Sequence, residues 1–232
     1  MRWWTSDWTS DTHFGHGNVL GFGRGRWATI EDHDRDLVDN WNDLVDRDDE
    51  VWHLGDAAWG FDRLVEVLPL LKGRITLVAG NHDTWWPHYR RGFFADETLN
   101  SRRELLADDP RHPARTASDW WRRRREVARL RSMGVTVVPS GETRTTIEVP
   151  GGRTVPVDVS HLPEVGSDPY LVGHLAVAAP EPTSTVRICG HVHGLWAQHG
   201  RTINVGVDVS DWAPVSEDEL ARRVRGLLDA RA

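Results

Sequence analysis

The stretch Ile75-Thr76-Leu77-Val78-Ala79-Gly80-Asn81-His82-Asp83 sets a short apolar run directly against a glycine, an amide, an imidazole and a carboxylate. Short runs rich in Val and Ile, bounded by turn residues, read as buried strands. The same shape recurs three times. Val51-Trp52-His53-Leu54 ends in Gly55-Asp56, Val155–Val159 ends in Ser160-His161, and Val186–Cys189 ends in Gly190-His191-Val192-His193. Open α/β sheets keep their working residues just past the carboxyl ends of strands. Four polar clusters at four such ends therefore point to an α/β chain with one shared site. Three of the clusters begin with glycine, which permits a sharp turn and close backbone approach.

A fifth cluster lies near the start of the chain, where Trp-Thr-Ser-Asp occurs twice in succession, as Trp4–Asp7 and Trp8–Asp11. In extended chain, side chains at i and i+2 share a face. Asp11 has His13 at that offset, so the two can grip one metal ion. Asp7 has Thr9 there instead and reads as a strand carboxylate, paired with an arginine or exposed at a sheet edge.

Composition excludes several classes. The 232 residues are long enough to bury a substantial core, and with no linker or repeat they read as a single domain, 1–232. A formal charge of −7 argues against a protein that coats nucleic acid non-specifically. A lone cysteine, Cys189, excludes an internal disulfide and a cysteine-based zinc cluster. No apolar run reaches the roughly 20 residues of a membrane helix, and MRWWTSD lacks the apolar core of a signal peptide. The expected location is the cytoplasm, with no membrane and no obligate protein partner. No G-x-S-x-G elbow supports a serine hydrolase, and Gly21–Arg26 (GFGRGR) fails the dinucleotide spacing.

Taken together, Asp11-x-His13, Gly55-Asp56, Gly80-Asn81-His82-Asp83, His161 and Gly190-His191-x-His193 resemble the motif series of the calcineurin-like metallophosphoesterases. Ser10–Asn18 (SDTHFGHGN) and Asn204–Ser216 (NVGVDVSDWAPVS) resemble its small bacterial and phage members. The resemblance implies a four-layer α/β/β/α sandwich, with two facing mixed sheets and a dinuclear metal site at the strand ends. It implies one ion on Asp11, His13, His193 and a bridging Asp56, and a second on Asp56, Asn81, His161 and His191. It further implies hydrolysis of phosphodiesters or phosphomonoesters by a metal-bridging hydroxide. The donor types agree with this. Two carboxylates, one amide oxygen and four imidazoles suit Mn, Fe, Zn, Ni or Co better than Ca or Mg, and of these Mn is the expected metal. Seven donors exceed what one four- to six-coordinate ion takes, and they suit a pair.

His82 stands beside the ligand Asn81 without being needed for coordination, which makes it the candidate general acid. Asp83 is then expected to hold its imidazole and raise its pKa. His16 and Asn18 follow the first ligand pair and are candidate contacts to substrate phosphate. His53 reads as a buried residue behind the ligands. His33, His88, His112, His174 and His199 have no motif context and read as surface or ordinary core residues.

Helices are expected over Thr29–Glu50, with Ile30, Leu37, Val38, Trp41, Leu44 and Val45 inward, over Phe61–Leu71 with a break at Pro69, and over Ser118–Gly134. In the third, Ser118 is the expected N-cap and Trp120, Val127 and Leu130 the inward stripe. Hairpin strands follow from Val135 to Ser160 with a turn at Gly151-Gly152, and a last helix spans Ser216–Ala230. Residues 84–133 read as an insertion over the site. Between Asn100 and Arg131 stand ten arginines against five acidic residues. With Trp85-Trp86 and Trp120-Trp121 they suggest a nucleotide, cyclic nucleotide or nucleic-acid end as substrate. The competing readings are a solvated basic helix with core tryptophans and, for the whole chain, a non-catalytic metal-binding or protein-binding module on the same fold.

Overall fold

The structure, a computed structural model, describes residues 6–86, 117–138, 143–163 and 186–229. It is an α/β architecture with two sheets. The first is four-stranded, in the order β1 (Ser6–Thr9), β2 (Glu50–His53), β3 (Arg74–Val78) and β4 (Thr136–Val138). All its pairings are parallel, where a mixed sheet was expected. The second is mixed, in the order β5 (Thr143–Val149), β6 (Arg153–Val159), β7 (Val186–Cys189), β9 (Thr202–Asn204) and β8 (Gln198–His199). Among the described residues four α-helices accompany them: α1 (Ile30–Leu44), α2 (Phe61–Val67), α3 (Ala117–Ser132) and α4 (Glu217–Asp229).

Register places the functional segments. Thr9 pairs with His53 and His53 with Leu77, so β1, β2 and β3 end level with one another. Val159 pairs with Ile188 and Cys189 with Asn204, so β6, β7 and β9 do the same. The two sets of ends meet where Ser10 bridges Gly206.

Side-chain alternation along the first sheet divides the core. Val51, Ile75, Leu77 and Val137 face one way and pack with Leu37 and Trp41 of α1, Leu64 and Val67 of α2, and Val127 and Leu130 of α3. Trp8, Trp52, Leu54 and Val78 face the other way and pack with Val155, Val157, Ile188 and Ile203 of the second sheet and Leu220 and Val224 of α4. A parallel sheet buried on both faces needs apolar residues at successive positions, which is why β3 reads as an unbroken run.

Helix α1 starts as its sequence requires. Thr29 caps it by accepting from the Asp32 N–H, and Glu31 and Asp32 place negative charge in the first turn. Its inward stripe is narrower than expected, since Leu44 is exposed and Ile30 only half-buried. Helix α2 gives way to a 3-10 turn over Leu68–Leu70, at Pro69. Helix α3 begins at Ala117, so Ser118 lies inside it and is not the N-cap. Gly134, at φ +86°, ends it. The run from Thr136 to Val138 is no hairpin arm; it joins β3 in parallel, because α3 supplies the crossover. The Gly151-Gly152 hairpin between β5 and β6 is as expected.

Asp7 stands on β1, an outermost strand of the first sheet, but it is buried. It is 2% accessible, its Oδ2 has no hydrogen-bond partner among the described residues, and its charged neighbours are Asp49 and Glu217. Trp85 and Trp86 lie in the core and offer no stacking surface. Most of the arginine-rich segment, Trp120's side chain, and His88, His112 and His174 lie outside the described residues. No helix among the described residues is long and apolar enough to cross a membrane.

Candidate metal centre

Five strand ends deliver the expected ligands to one place. Asp11 and His13 follow β1, Asp56 follows β2, Asn81 follows β3, His161 follows β6, and His191 and His193 follow β7. Reaching it requires unusual backbone. Asp11, His13, Asp56, His191 and His193 all have φ between +47° and +73°, leaving only Asp211 and Trp212 as other non-glycine residues of this kind among those described. Left-handed backbone away from glycine costs on the order of 1 kcal/mol or more and gathers where surrounding structure has a use for it. The glycines explain how the segments fit. A Cβ on Gly80 would strike the Asp56 carboxylate, and one on Gly190 would strike Ser10 Oγ and the Asp11 carboxylate.

Ligand-type atoms of Asp11, His13 and His193 all lie within 4.8 Å of one another, as do those of Asp11, Asp56 and His161. Asp56 Oδ2 is placed between the groups, 3.8 Å from His13 Nε2 and 3.4 Å from His161 Nε2. Asn81 Oδ1 is 2.8 Å from both His161 Nε2 and His191 Nδ1. The rings of His13 and His193 stack at 5.1 Å.

These side chains fit a cation. Asp11 Oδ1 and His13 Nε2 are buried with no hydrogen-bond partner among the described residues. Each such atom costs about 1–3 kcal/mol when left dry and unpaired. His161 donates its Nδ1–H to the Leu54 carbonyl at 2.7 Å, which aims Nε2 at Asp56 and Asn81. Burial opposes a charge on His161, but Asp56, with help from Asp11, holds its pKa at about 9. Burial also opposes charge on Asp56, yet His161, His13 and His82 bring its carboxyl well below the usual range. Burial keeps His13 well below its ordinary value against the pull of Asp56, so its imidazole is neutral, as a ligand must be. The His/Asp groups could therefore hold a metal, and His161 would have to give up a proton to join in holding it.

The surroundings fix these candidate ligands. Asp11 Oδ2 accepts the His191 N–H at 2.9 Å, and Asp56 Oδ1 accepts the His82 N–H at 2.8 Å. His53 is buried as expected, with Nε2 2.9 Å from Thr12 Oγ1. Asp83 does not orient His82. Its Oδ2 accepts the N–H groups of Gly80 and Asp56, and its Oδ1 that of Trp85 Nε1. The turn after β3 points this carboxylate inward, where burial and then Asp56 push it up to about 7. The His82 ring is half-buried and meets His13 edge-on at 5.6 Å. His16 lies flat on Trp59, and Asn18 is exposed on a 3-10 turn.

Two residues that support the candidate site were not found by sequence reasoning. Asp208 Oδ2 lies 3.0 Å from His193 Nδ1, which leaves His193 Nε2 as the atom that could face a metal. Asp208 is gripped in turn by Arg24, fully buried, through Nε–H and Nη2–H at 2.8 and 2.6 Å. Arg24 also donates to the carbonyls of Asp11 and Thr12, holding the segment that carries the first ligand pair. Its last partner is His33 Nε2, while His33 Nδ1–H turns to Asp34, so His33 is a working core residue rather than a surface one. The expected result for Asp208→Asn is a 10–100-fold loss of metal affinity with the fold retained. Competition with a chromophoric chelator measures this, and unchanged affinity would remove Asp208 from the site.

No family model matches the chain. An uncharacterized protein of Methanocaldococcus jannaschii is 34% identical over 84 residues, 35% of this chain and 48% of that protein. The gene 66 proteins of Mycobacterium phage D29 and Mycobacterium phage L5 are 41% and 37% identical, over 35% and 32% of this chain and 42% and 38% of their own lengths. The matched segments thus span less than half of these relatives. Among solved structures, a protein of unknown function from Aquifex aeolicus superposes with a TM-score of 0.53 at 21% identity, over 94% of this chain and 98% of that one. That likeness is one of fold.

Proposed function

We propose that the chain is a dinuclear-metal phosphoesterase, hydrolysing phosphodiester or phosphomonoester bonds on a calcineurin-like four-layer α/β/β/α sandwich. The observation that carries the reading is the convergence of seven donors from five strand ends, with Asp11 Oδ1 and His13 Nε2 buried and unpartnered in their midst. Asp11, His13, His193 and Asp56 would hold one divalent ion, and Asp56, Asn81, His161 and His191 the other. Two such ions, when bound, polarise phosphoryl oxygens and supply a nucleophile at neutral pH. The chain's own part is to position and to move a proton. His82, fixed by its backbone bond to Asp56 and its ring contact with His13, delivers a proton from its imidazole to the leaving oxygen. Asp83 instead braces the Gly80–Asp56 backbone.

The second reading, a non-catalytic metal-binding or protein-binding module on the same fold, has less support, because His82 stands at the site without serving as a ligand. Metal removal separates the two. A chelator should eliminate turnover of a nitrophenyl phosphodiester, and Mn²⁺ should restore it better than Mg²⁺, since four imidazoles disfavour a hard, oxygen-seeking ion. Metal analysis should find close to two ions per chain. Full activity in Mg²⁺ alone after verified stripping would contradict the ligand set, and binding without turnover of any ester would favour the module.

A further inference from the structure

We infer that Trp59 and His16 form a stacking platform for the nucleobase of a nucleoside leaving group, which makes nucleoside phosphoesters the preferred substrates. The inference rests on the hydrolytic reading above for its orientation. The two rings are stacked, parallel within 3°, with centroids 3.9 Å apart. His16 Nδ1 has no hydrogen-bond partner among the described residues, so stacking, not hydrogen bonding, seats that ring. Trp59 is nevertheless 52% exposed. Its backbone is pinned: Trp59 N–H donates to the Phe14 carbonyl at 2.8 Å, beside the bridge between Phe14 and Ala58. Phe14 adjoins the ligand His13 and Ala58 lies two residues past the ligand Asp56, so the platform moves with the metal centre. A rigid aromatic face loses little on binding.

Position selects the leaving-group side. Trp59 lies 5.9 Å from His82, and His16 lies 6.2 Å from His82 and 5.4 Å from His13. The platform therefore begins at the group assigned to protonate the leaving oxygen and runs outward to solvent. A ribose attached to that oxygen leads its base toward the open indole. Flat bases have a π-face to match it, and stacking on one aromatic side chain strengthens binding by about tenfold or more.

The test compares adenosine 5′-monophosphate with ribose 5-phosphate, which has a hydroxyl in place of the base. Binding is measured calorimetrically to metal-free and Mn²⁺-loaded protein, for the parent, Trp59→Ala and Trp59→Phe, each checked for folding by thermal melt. The parent should prefer the nucleotide by about tenfold or more. Trp59→Ala should bring the preference close to unity, and Trp59→Phe should keep most of it. A parent without preference, a preference that survives in Trp59→Ala, or no binding of either compound overturns the inference. Turnover of a nitrophenyl phosphodiester by the parent is followed alongside. Preference without turnover keeps the platform and removes the hydrolytic reading, and turnover without preference does the reverse.

Discussion

Asp11→Asn should bring phosphoester turnover down to background and lower the metal content from about two ions toward one, while Asp7→Asn should stay within a few-fold of the parent. Both aspartates close a Trp-Thr-Ser-Asp repeat, and both are buried. Only Asp11 sits among the candidate ligands, with Oδ1 unpartnered among the described residues and Oδ2 on the His191 N–H. An asparagine there still accepts from His191 through its amide oxygen, so the substitution removes charge and a metal donor while leaving the local backbone bond available. Asp7 belongs to the other economy of the fold. Burial, then Asp49 and Glu217, push its carboxyl up to about 7. The folded chain keeps a proton there that the unfolded chain has released above roughly pH 4. The contribution of Asp7 to stability therefore declines as pH rises from about 4 to 7, and the deficit is complete above that range. Asp7→Asn removes the deficit. Its melting temperature should exceed the parent's at pH 8, by about 2–4 °C for each kcal/mol recovered, and should match it near pH 4. Equal losses of turnover in the two variants, both folded, would overturn the assignment of Asp11.

What the sequence makes legible is whatever is local to a strand end. In Ile75–Asp83 and its three counterparts, a β-branched run, a glycine and polar residues sit within one short window, so strand, turn and ligand are read together. The candidate ligands also announce themselves by type, because carboxylates and imidazoles are scarce on buried turns. Partner choice is another matter. The Arg24–Asp208 pair that supports His193 joins residues 184 apart, and nothing near either residue signals the other. Arg24 lies in a glycine-rich run whose composition suggests a loop, and its burial is a tertiary fact. The parallel pairing of β4 is hidden for the same reason, since a short Val-rich strand between turn residues fits a hairpin equally well. Asp83 misleads by adjacency: it follows His82 in the chain, but the turn sends the two side chains different ways.

The remaining large effect lies in the leaving group. If His82 protonates the departing oxygen, His82→Ala and His82→Asn should retain both metals and lower turnover by roughly 10²–10⁴, the usual range for a general acid. The structure leaves room for such a variant to fold: the bond to Asp56 Oδ1 comes from the His82 backbone N–H, which substitution preserves, and the ring is only half-buried. The loss should be smallest for a nitrophenyl ester, whose leaving group departs readily as an anion, and largest for a ribose or alkyl ester, whose alkoxide cannot. Asp83→Asn is now expected to behave differently. Because Asp83 accepts from Gly80, Asp56 and Trp85 and does not hold the His82 ring, its substitution should lower stability and metal retention and depress both esters alike. Turnover on two diesters of contrasting leaving-group pKa, read beside metal content, separates the cases. A His82 variant that loses equally on both esters, or drops a metal, would make His82 a positioning residue and leave the proton to another donor.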